Sequence, residues 1–224
     1  MFALNAHALL MKAKTKNCDV VVLPAGFWSA RDNKHRDRLI ADAQKAAQAH
    51  GVALIAGVDV VWPPVLKEGI PASMVKNEAI PFFGFAVTRD GTLHGPWQQL
   101  SIISAHTGTA PAMAHRKRIV DIAGTRIIVL ICGEMLNEDY RQPLGSATAD
   151  LVVDIGHSTY KRVRQTMRVV ARLANKPALH VQHLSFMDTM IFIDRHGQEH
   201  NRSAGPDHTY LTQSFWYGWT IRDI

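Results

Sequence analysis

The stretch "RIIVLICGEMLNED", residues 126–139, places a cysteine at the end of an apolar run. The run predicts a buried strand that stops at Cys132, because Gly133 and Glu134 follow at once. A thiol is partly ionised near neutral pH and intrinsically nucleophilic, so it can attack an electrophilic carbon after modest activation. The backbone N–H of Gly133 could then stabilise the resulting oxyanion. On residue type alone, such a cysteine is more often an inert core residue.

Nearby polar residues are candidates to assist the thiol. His157 follows the apolar run "LVVDIG", so its ring could lie over the same sheet edge as Cys132 and activate it, although a histidine in a loop is more often an ordinary polar residue. Glu134 could act in catalysis, but a carboxylate that braces the strand end by hydrogen bonds is the favoured interpretation. His106 and His115 lie in a loop expected to border the same place and are weaker candidates.

Composition limits the class of protein. The chain has 224 residues, 47% of them hydrophobic, and no change in composition divides it, so we predict a single domain over residues 1–224. Its two cysteines, Cys18 and Cys132, match no metal or disulfide spacing, which predicts free thiols, no metal and a cytoplasmic location. No apolar run approaches the roughly 18 residues of a membrane helix. The net charge of +6 does not by itself select a partner.

Helical and strand patterns alternate along the chain, which predicts an α/β fold with a mixed sheet covered by helices. Glycines mark several boundaries, with Gly51 as a left-handed helix cap and Gly124 as a turn. Asn137 is expected to cap a further helix. Predicted helices cover residues 2–14, 31–50 and 158–174, predicted strands include "CDVVVLP", "VALIAGVDV", "LVVDIG", "ALHVQHL" and "TMIFIDRHGQ", and residues 81–95 and 119–132 predict hairpins.

The helix from Ser158 carries a cationic stripe formed by Lys161, Arg164, Arg168 and Arg172. Such a stripe could bind nucleic acid or an acidic ligand. No aromatic residue is interleaved with these charges and no nucleic-acid motif appears, so we favour a solvated face and consider nucleic-acid binding unlikely.

Six segments in register resemble the nitrilase, or carbon–nitrogen hydrolase, superfamily over nearly the whole chain: "CDVVVLPAGFW", "VALIAGVDV", "PFFGFAVTRDGTLHGPWQQ", "RIIVLICGEMLNEDYRQPLGSATADLVVDIGHSTY", "MRVVARLANKPALHV" and "SFMDTMIFIDRHGQ". The resemblance implies an α-β-β-α sandwich that pairs with a second subunit and uses no cofactor. It also implies that Cys132 is the nucleophile, attacking the carbon of a non-peptide amide or a nitrile to give a thioester or thioimidate that water resolves.

The sequence departs from the superfamily pattern at two catalytic positions. The general base of the superfamily is a glutamate directly after the proline that closes the early strand, and this chain has Ala25 there. The lysine expected after the hairpin is replaced by Gln98 and Gln99, and a further glutamate is missing from "AHTGTAPAMAH". Two alternatives follow: a hydrolase with rearranged helper residues, or a degenerate nitrilase-like protein that serves binding or assembly.

The resemblance further implies that the N-terminal strand of the fold is absent, because Met1 already stands at the first predicted helix. Either the sheet is narrower or a second subunit covers its edge, since unpaired edges invite association. We therefore predict a homodimer, with residues 215–219 as a candidate contact. Loops 62–71 and 104–116 show no readable substrate code. We expect Cys132 to lie near Ala25, the Gln98–Gln99 stretch and His157 at the rim of a pocket that binds a small amide or nitrile.

Overall fold

A computed structural model describes residues 6–60, 82–100, 115–157, 162–182 and 190–200. Within these ranges the chain forms four α-helices and ten strands. The helices are α1 (Ala6–Thr15), α2 (Asn33–His50), α3 (Glu138–Arg141) and α4 (Val163–Ala174). The strands are β1 (Val20–Val22), β2 (Trp28–Ala30), β3 (Ala53–Val60), β4 (Phe82–Val87), β5 (Leu93–Gln98), β6 (Ile119–Ile122), β7 (Thr125–Ile131), β8 (Leu151–Gly156), β9 (Ala178–Gln182) and β10 (Met190–Ile193). Three 3-10 helices span His115–Arg118, Cys132–Leu136 and Gln142–Ser146.

The strands form two mixed sheets of five strands each. In the first sheet the order is β1-β3-β4-β5, and β2 also pairs with β3, which runs parallel to β1 and β2 and antiparallel to β4. In the second sheet the order is β10-β9-β8-β7-β6, with β7, β8 and β9 parallel and both edge strands antiparallel. Because the three central strands are parallel, their carboxyl ends meet at one edge, and this is where the candidate site lies.

Side-chain alternation along the strands produces the layers. On β7, Ile127, Val129 and Ile131 pack into a cluster that joins the two sheets, whereas Ile128 and Leu130 face a second cluster shared with α4. A third cluster lies between the first sheet and helices α1 and α2. The order of layers is therefore helix, sheet, sheet, helix, and the predicted α-β-β-α sandwich is confirmed.

Local sequence signals explain most element ends. Helix α2 follows Asp32, whose carboxylate accepts a hydrogen bond from the N–H of His35 at 2.6 Å, and it ends at Gly51 in the left-handed conformation, as predicted. Asn137 caps α3 by accepting a hydrogen bond from the N–H of Asp139, also as predicted. The sequence did not reveal β2, which has only three residues. Residues 158–161, where α4 was expected to begin, lie outside the described residues.

The cationic stripe of α4 faces a carboxylate of the same chain. Arg164 and Arg168 form ion pairs with Glu199 at 3.0 and 3.2 Å. The side chain of Arg172 lies beside Gly197, where a Cβ atom would be 2.6 Å from Nε of this arginine. Two of the four cations of the stripe therefore pair with a carboxylate of the chain itself, and the expectation that nucleic-acid binding is unlikely stays a prediction; Lys161 lies outside the described residues. Among the described helices, none is both long enough and apolar enough to cross a membrane.

Candidate active site

Cys132 stands where β7 ends and the 3-10 helix Cys132–Leu136 begins. Its side chain is 8% exposed, and its φ of +50° lies in the left-handed region. A residue other than glycine has a higher conformational energy in that region, so the surrounding structure must hold the backbone of Cys132 there. Gly133 follows in the same turn and is buried. The turn lifts the thiol out of the regular alternation of β7.

His157 follows β8, the parallel neighbour of β7, and the register pairs Ile131 with Ile155. The ends of the two strands are therefore adjacent, and interaction with the thiol of Cys132 is one of the causes that raise the pKa of His157. The ring of Phe82 packs against the imidazole with 4.2 Å between ring centroids. The imidazole keeps 23% of its side-chain surface exposed. The structure thus brings together the two residues that the sequence suggested as thiol and base.

A third titratable residue, Asp59, completes this cluster from the opposite sheet. Nε2 of His157 lies 3.0 Å from both carboxylate oxygens of Asp59, a residue of β3 that is 2% exposed. Burial by itself lowers the pKa of His157, but hydrogen bonds with Asp59 and Cys132, and their charges, outweigh it and raise this pKa to about 10. His157 is therefore protonated at neutral pH.

Ala25 and Gly26 line one side of the site that contains Cys132, His157 and Asp59. Ala25, at the position of the superfamily glutamate, is 1% exposed and belongs to the same buried cluster as Cys132. Gly26 has φ of +67°, and a Cβ atom there would lie 2.7 Å from Oδ2 of Asp59 and 3.0 Å from Cδ2 of His157. Only glycine leaves room for the Asp59–His157 pair at this position.

Glu134 lies fully buried two residues after the thiol and accepts hydrogen bonds from three donors. One carboxylate oxygen receives the N–H of Leu100 at 2.8 Å, and the other receives Nη1 of Arg118 at 2.5 Å and the N–H of Ile131 at 2.9 Å. Burial raises the pKa of Glu134, and the charge and hydrogen bond of Arg118 oppose that shift. These bonds support a bracing role rather than catalysis.

The Gln98–Gln99 stretch lies beside this brace. The carbonyl oxygen of Gln98 accepts a hydrogen bond from Nη2 of Arg118 at 2.8 Å, which links the end of β5 to Glu134. Gln99 is 2% exposed, and its N–H donates to the carbonyl of Phe82. Neither side chain supplies the positive charge of the superfamily lysine. His106 and the side chain of His115 lie outside the described residues.

A second Asp–His pair lies on the helix-facing side of the second sheet. Nδ1 of His180 is 2.6 Å from Oδ2 of Asp154, and Nε2 of His180 is 3.1 Å from Oε1 of Gln182. All three side chains are buried. Burial raises the pKa of Asp154, and His180 opposes that shift. Because Asp154 and His157 are on opposite faces of β8, this pair is separate from the thiol.

The described residues also form a cleft that is remote from the thiol. An open cleft of about 340 Å³ lies at the opposite end of β7, between the β4–β5 and β6–β7 turns, and neither cysteine lines it. In the same ranges, no three residues of the types His, Cys, Asp and Glu are arranged to hold a metal ion.

Sequence comparisons identify no relative: no family model matches the chain, and no curated protein matches it. Solved structures do match. An amidase from Nesterenkonia sp., a mutant carrying the product of Michael addition of acrylamide at its active-site cysteine, is 11% identical with a TM-score of 0.63, over 86% of this chain and 78% of the amidase.

Two further solved structures match to a similar extent. Another mutant of the Nesterenkonia amidase, described as from the nitrilase superfamily, is 11% identical with a TM-score of 0.62, over 87% of this chain and 78% of that one. A carbon-nitrogen hydrolase from Helicobacter pylori is 11% identical with a TM-score of 0.60, over 88% of this chain and 77% of that one. At such low identities the likeness establishes the fold, so this chain has the α-β-β-α fold of the nitrilase superfamily.

Proposed function

We propose that this protein hydrolyses a non-peptide carbon–nitrogen bond, in a small amide or a related nitrile, with Cys132 as nucleophile and His157 as its proton partner. The observation that carries the proposal is that Cys132 and His157 follow the ends of adjacent strands, where interaction with Cys132 helps to raise the pKa of His157. Their place at the carboxyl ends of adjacent parallel strands, in the fold of the matched amidases, supports it.

The proposed reaction on an amide has two stages. In the first, the sulfur of Cys132 attacks the carbonyl carbon, and the oxyanion is stabilised by backbone donors such as the N–H of Gly133. The C–N bond then breaks as His157 gives its proton to the departing amine, which leaves a thioester on Cys132. In the second stage, water attacks the thioester and its proton passes to His157. The C–S bond breaks, the acid leaves, and Cys132 returns to its first state.

In this mechanism His157 does the work of the absent glutamate. A positioned base contributes about 10²–10⁴ in rate, so its replacement decides whether the thiol is competent. Neither Gln98 nor Gln99 supplies the positive charge of the lost lysine. We therefore expect slower turnover than in a site with the full glutamate and lysine set, because one oxyanion donor is worth about 10²–10³ in turnover.

Ammonia release from acetamide, propionamide and acrylamide tests this function. We expect turnover by the unmodified protein, abolition by Cys132→Ala, and unchanged turnover in Cys18→Ala, which removes the other thiol. Intact-mass measurement should also detect a covalent adduct of acrylamide that requires Cys132. Equal ammonia release by Cys132→Ala and the unmodified protein would disprove the proposal.

The second candidate function is ligand binding or assembly without turnover, by a site that has lost its catalytic set. The observations that favour it are the methyl side chain of Ala25 at the position of the base and the neutral side chain of Gln99 at that of the lysine. Calorimetry with the same amides distinguishes the two functions. Saturable binding that Cys132→Ala preserves, without ammonia release, would support the degenerate site.

Two further properties belong to the proposal. We infer a cytoplasmic location, because both cysteines are free thiols and free thiols persist in reducing compartments. We also infer a homodimer, with Phe215, Trp216, Tyr217 and Trp219 as candidate contacts; these four lie outside the described residues. A monomer at micromolar concentration in sedimentation velocity would contradict the dimer.

A further inference from the structure

We propose that Asp59 is a positioning residue that holds the imidazole of His157 beside Cys132, so that the thiol can pass its proton to His157 before any ligand arrives. No sequence pattern assigned Asp59 a role. The inference rests on the proposed role of Cys132 as the reacting group, and it adds the residue that makes this thiol reactive without the superfamily glutamate.

The geometry of the pair is the first support. Both carboxylate oxygens of Asp59 lie 3.0 Å from the same nitrogen, Nε2 of His157. The carboxylate thus engages Nε2, and in the proposed arrangement Nδ1 is the ring nitrogen that serves the thiol of Cys132.

Burial is the second support. The side chain of Asp59 is 3% exposed, and an ionised carboxylate removed from water is stable only beside a positive partner. The positive partner that the structure places there is the imidazolium of His157. The proton that makes it positive can come from Cys132: the S–H bond breaks, the Nδ1–H bond forms, and the pair becomes thiolate and imidazolium with no net change in charge.

The residues that pack around the Asp59–His157 pair are the third support. Gly26 approaches so closely that a Cβ atom there would lie within 3.0 Å of both partners, and Phe82 packs against the imidazole. The imidazole of His157 is held between the backbone of Gly26 and the ring of Phe82. This packing fixes the orientation of the imidazole and therefore of its two nitrogens. Asp59 is on the same face of β3 as Ala53 and Ile55, the face between the sheets.

Within the described ranges, three titratable groups act on His157. Asp59 contacts it directly, Cys132 acts on it from the neighbouring strand end, and Asp154 acts by charge from the other face of β8. Asp154 also pairs with a histidine, but that pair touches no thiol, so it provides a matched control. Asp154→Asn removes a buried carboxylate of the same kind from the same core without removing the partner of His157.

The test measures the alkylation rate of each cysteine by iodoacetamide between about pH 5 and 8, with peptide mass spectrometry to separate the two sites. Below its pKa a simple thiol loses about tenfold in rate per pH unit, because only the thiolate reacts. We expect this slope at Cys18, whose pKa is raised by burial, and a nearly flat profile at Cys132. Each profile compares the alkylation rates of one cysteine at different pH values. A difference in solvent access between the two cysteines therefore does not affect the slope.

In Asp59→Asn we expect the Cys132 rate at pH 6 to fall at least tenfold and the profile to acquire the slope of a simple thiol. Asp154→Asn should keep the flat profile. A flat profile in a folded Asp59→Asn, or an equal loss in both variants, would overturn the inference. If Asp59→Asn does not fold, the unmodified protein decides: a sloping Cys132 profile, or imidazole NMR shifts of a neutral His157 at pH 8, would overturn it.

The experiment separates this inference from the proposed function, since it uses no substrate. A flat Cys132 profile that depends on Asp59, in a protein that releases no ammonia from amides, would disprove the hydrolase and leave the ion pair standing. Turnover that depends on Cys132, with a sloping profile, would leave the hydrolase standing and disprove the role of Asp59.

Discussion

Gly26 faces Asp59 so closely that a single added methyl group would lie 2.7 Å from the carboxylate oxygen Oδ2. The contact joins the segment after β1 to the inward face of β3 and leaves no side chain between the backbone and the Asp59–His157 pair. In the superfamily pattern the base directly precedes Gly26; here Ala25 carries a methyl group, and the carboxylate beside Gly26 is that of Asp59 on β3. The geometry of the site therefore depends on a glycine as much as on its charged residues.

Gly26→Ala should disable the site. The new methyl group would displace Asp59 or His157, and the positive φ of +67° adds a backbone cost of about 1–2 kcal/mol. Gly51→Ala is the matched control, because Gly51 has φ of +65° and nothing within 4 Å of an added Cβ atom. Chemical denaturation should show similar destabilisation from the backbone cost in both variants. Alkylation of Cys132 at pH 6 should slow in Gly26→Ala alone; equal rates in the two variants would contradict the steric argument.

Glu134→Gln should destabilise the fold strongly. Glu134 and Arg118 form an ion pair that is almost fully buried, and removing one partner of a buried pair costs about 3–5 kcal/mol because the other charge is left uncompensated. Asp150→Asn serves as comparison, since its ion pair with Arg126 is exposed and contributes little. Urea denaturation at neutral pH measures both. A loss in Glu134→Gln no larger than in Asp150→Asn would show that the brace is not structural.

His157 should make stability depend on pH in a defined direction. Its pKa is about 10 in the folded chain and near its ordinary value of about 6.5 when unfolded, so the folded state binds this proton more tightly. The stabilisation is fully present below about pH 6.5 and is lost as pH rises towards 10. The difference in unfolding free energy between the unmodified protein and His157→Gln should therefore shrink between pH 6 and 10. A difference that grows over this range would reverse the assigned shift.

Ala25→Glu combined with Gln99→Lys introduces the superfamily residues but should not raise turnover above that of the unmodified protein. Ala25 is buried in the cluster that contains Cys132, and its backbone touches β3, where a Cβ atom on Gly57 would lie 2.5 Å from Cα of Ala25. A glutamate there overfills the space, which costs about 1–3 kcal/mol. Thermal denaturation and ammonia release measure the two effects. A tenfold gain in turnover would instead favour the degenerate-site interpretation.

Strand and helix signals were sufficient to predict an α/β fold with a mixed sheet covered by helices, whereas the α-β-β-α sandwich was implied by the resemblance to the nitrilase superfamily. Apolar runs such as "RIIVLIC" and "LVVDIG" are buried on both faces, and that burial requires layers on both sides. Cys132 and His157 could be found in the same way, since both follow such runs and the ends of parallel strands share one edge. The three-residue strand β2 carries no comparable signal, because it owes its pairing to β3.

The structural roles of Asp59 and Arg118 could not be predicted from the sequence. Asp59 meets His157 across 98 positions, so no local pattern links them, although strand alternation would have placed its carboxylate on the inward face of β3. Arg118 ends the charged run "HRKR", which is typical of a solvated segment, yet it is buried against Glu134. Both assignments depend on which segments pack together, and that information is not local.

The left-handed backbone of Cys132 reverses an ordinary rule of protein engineering. Alanine is normally safer than glycine, but at φ of +50° glycine avoids a penalty of about 1–2 kcal/mol that alanine retains. Cys132→Gly should thus melt at a higher temperature than Cys132→Ala, although both lack the thiol. A cysteine held in a costly backbone conformation is what we expect if Cys132 is the reacting group of the proposed function, since such strain clusters at functional sites.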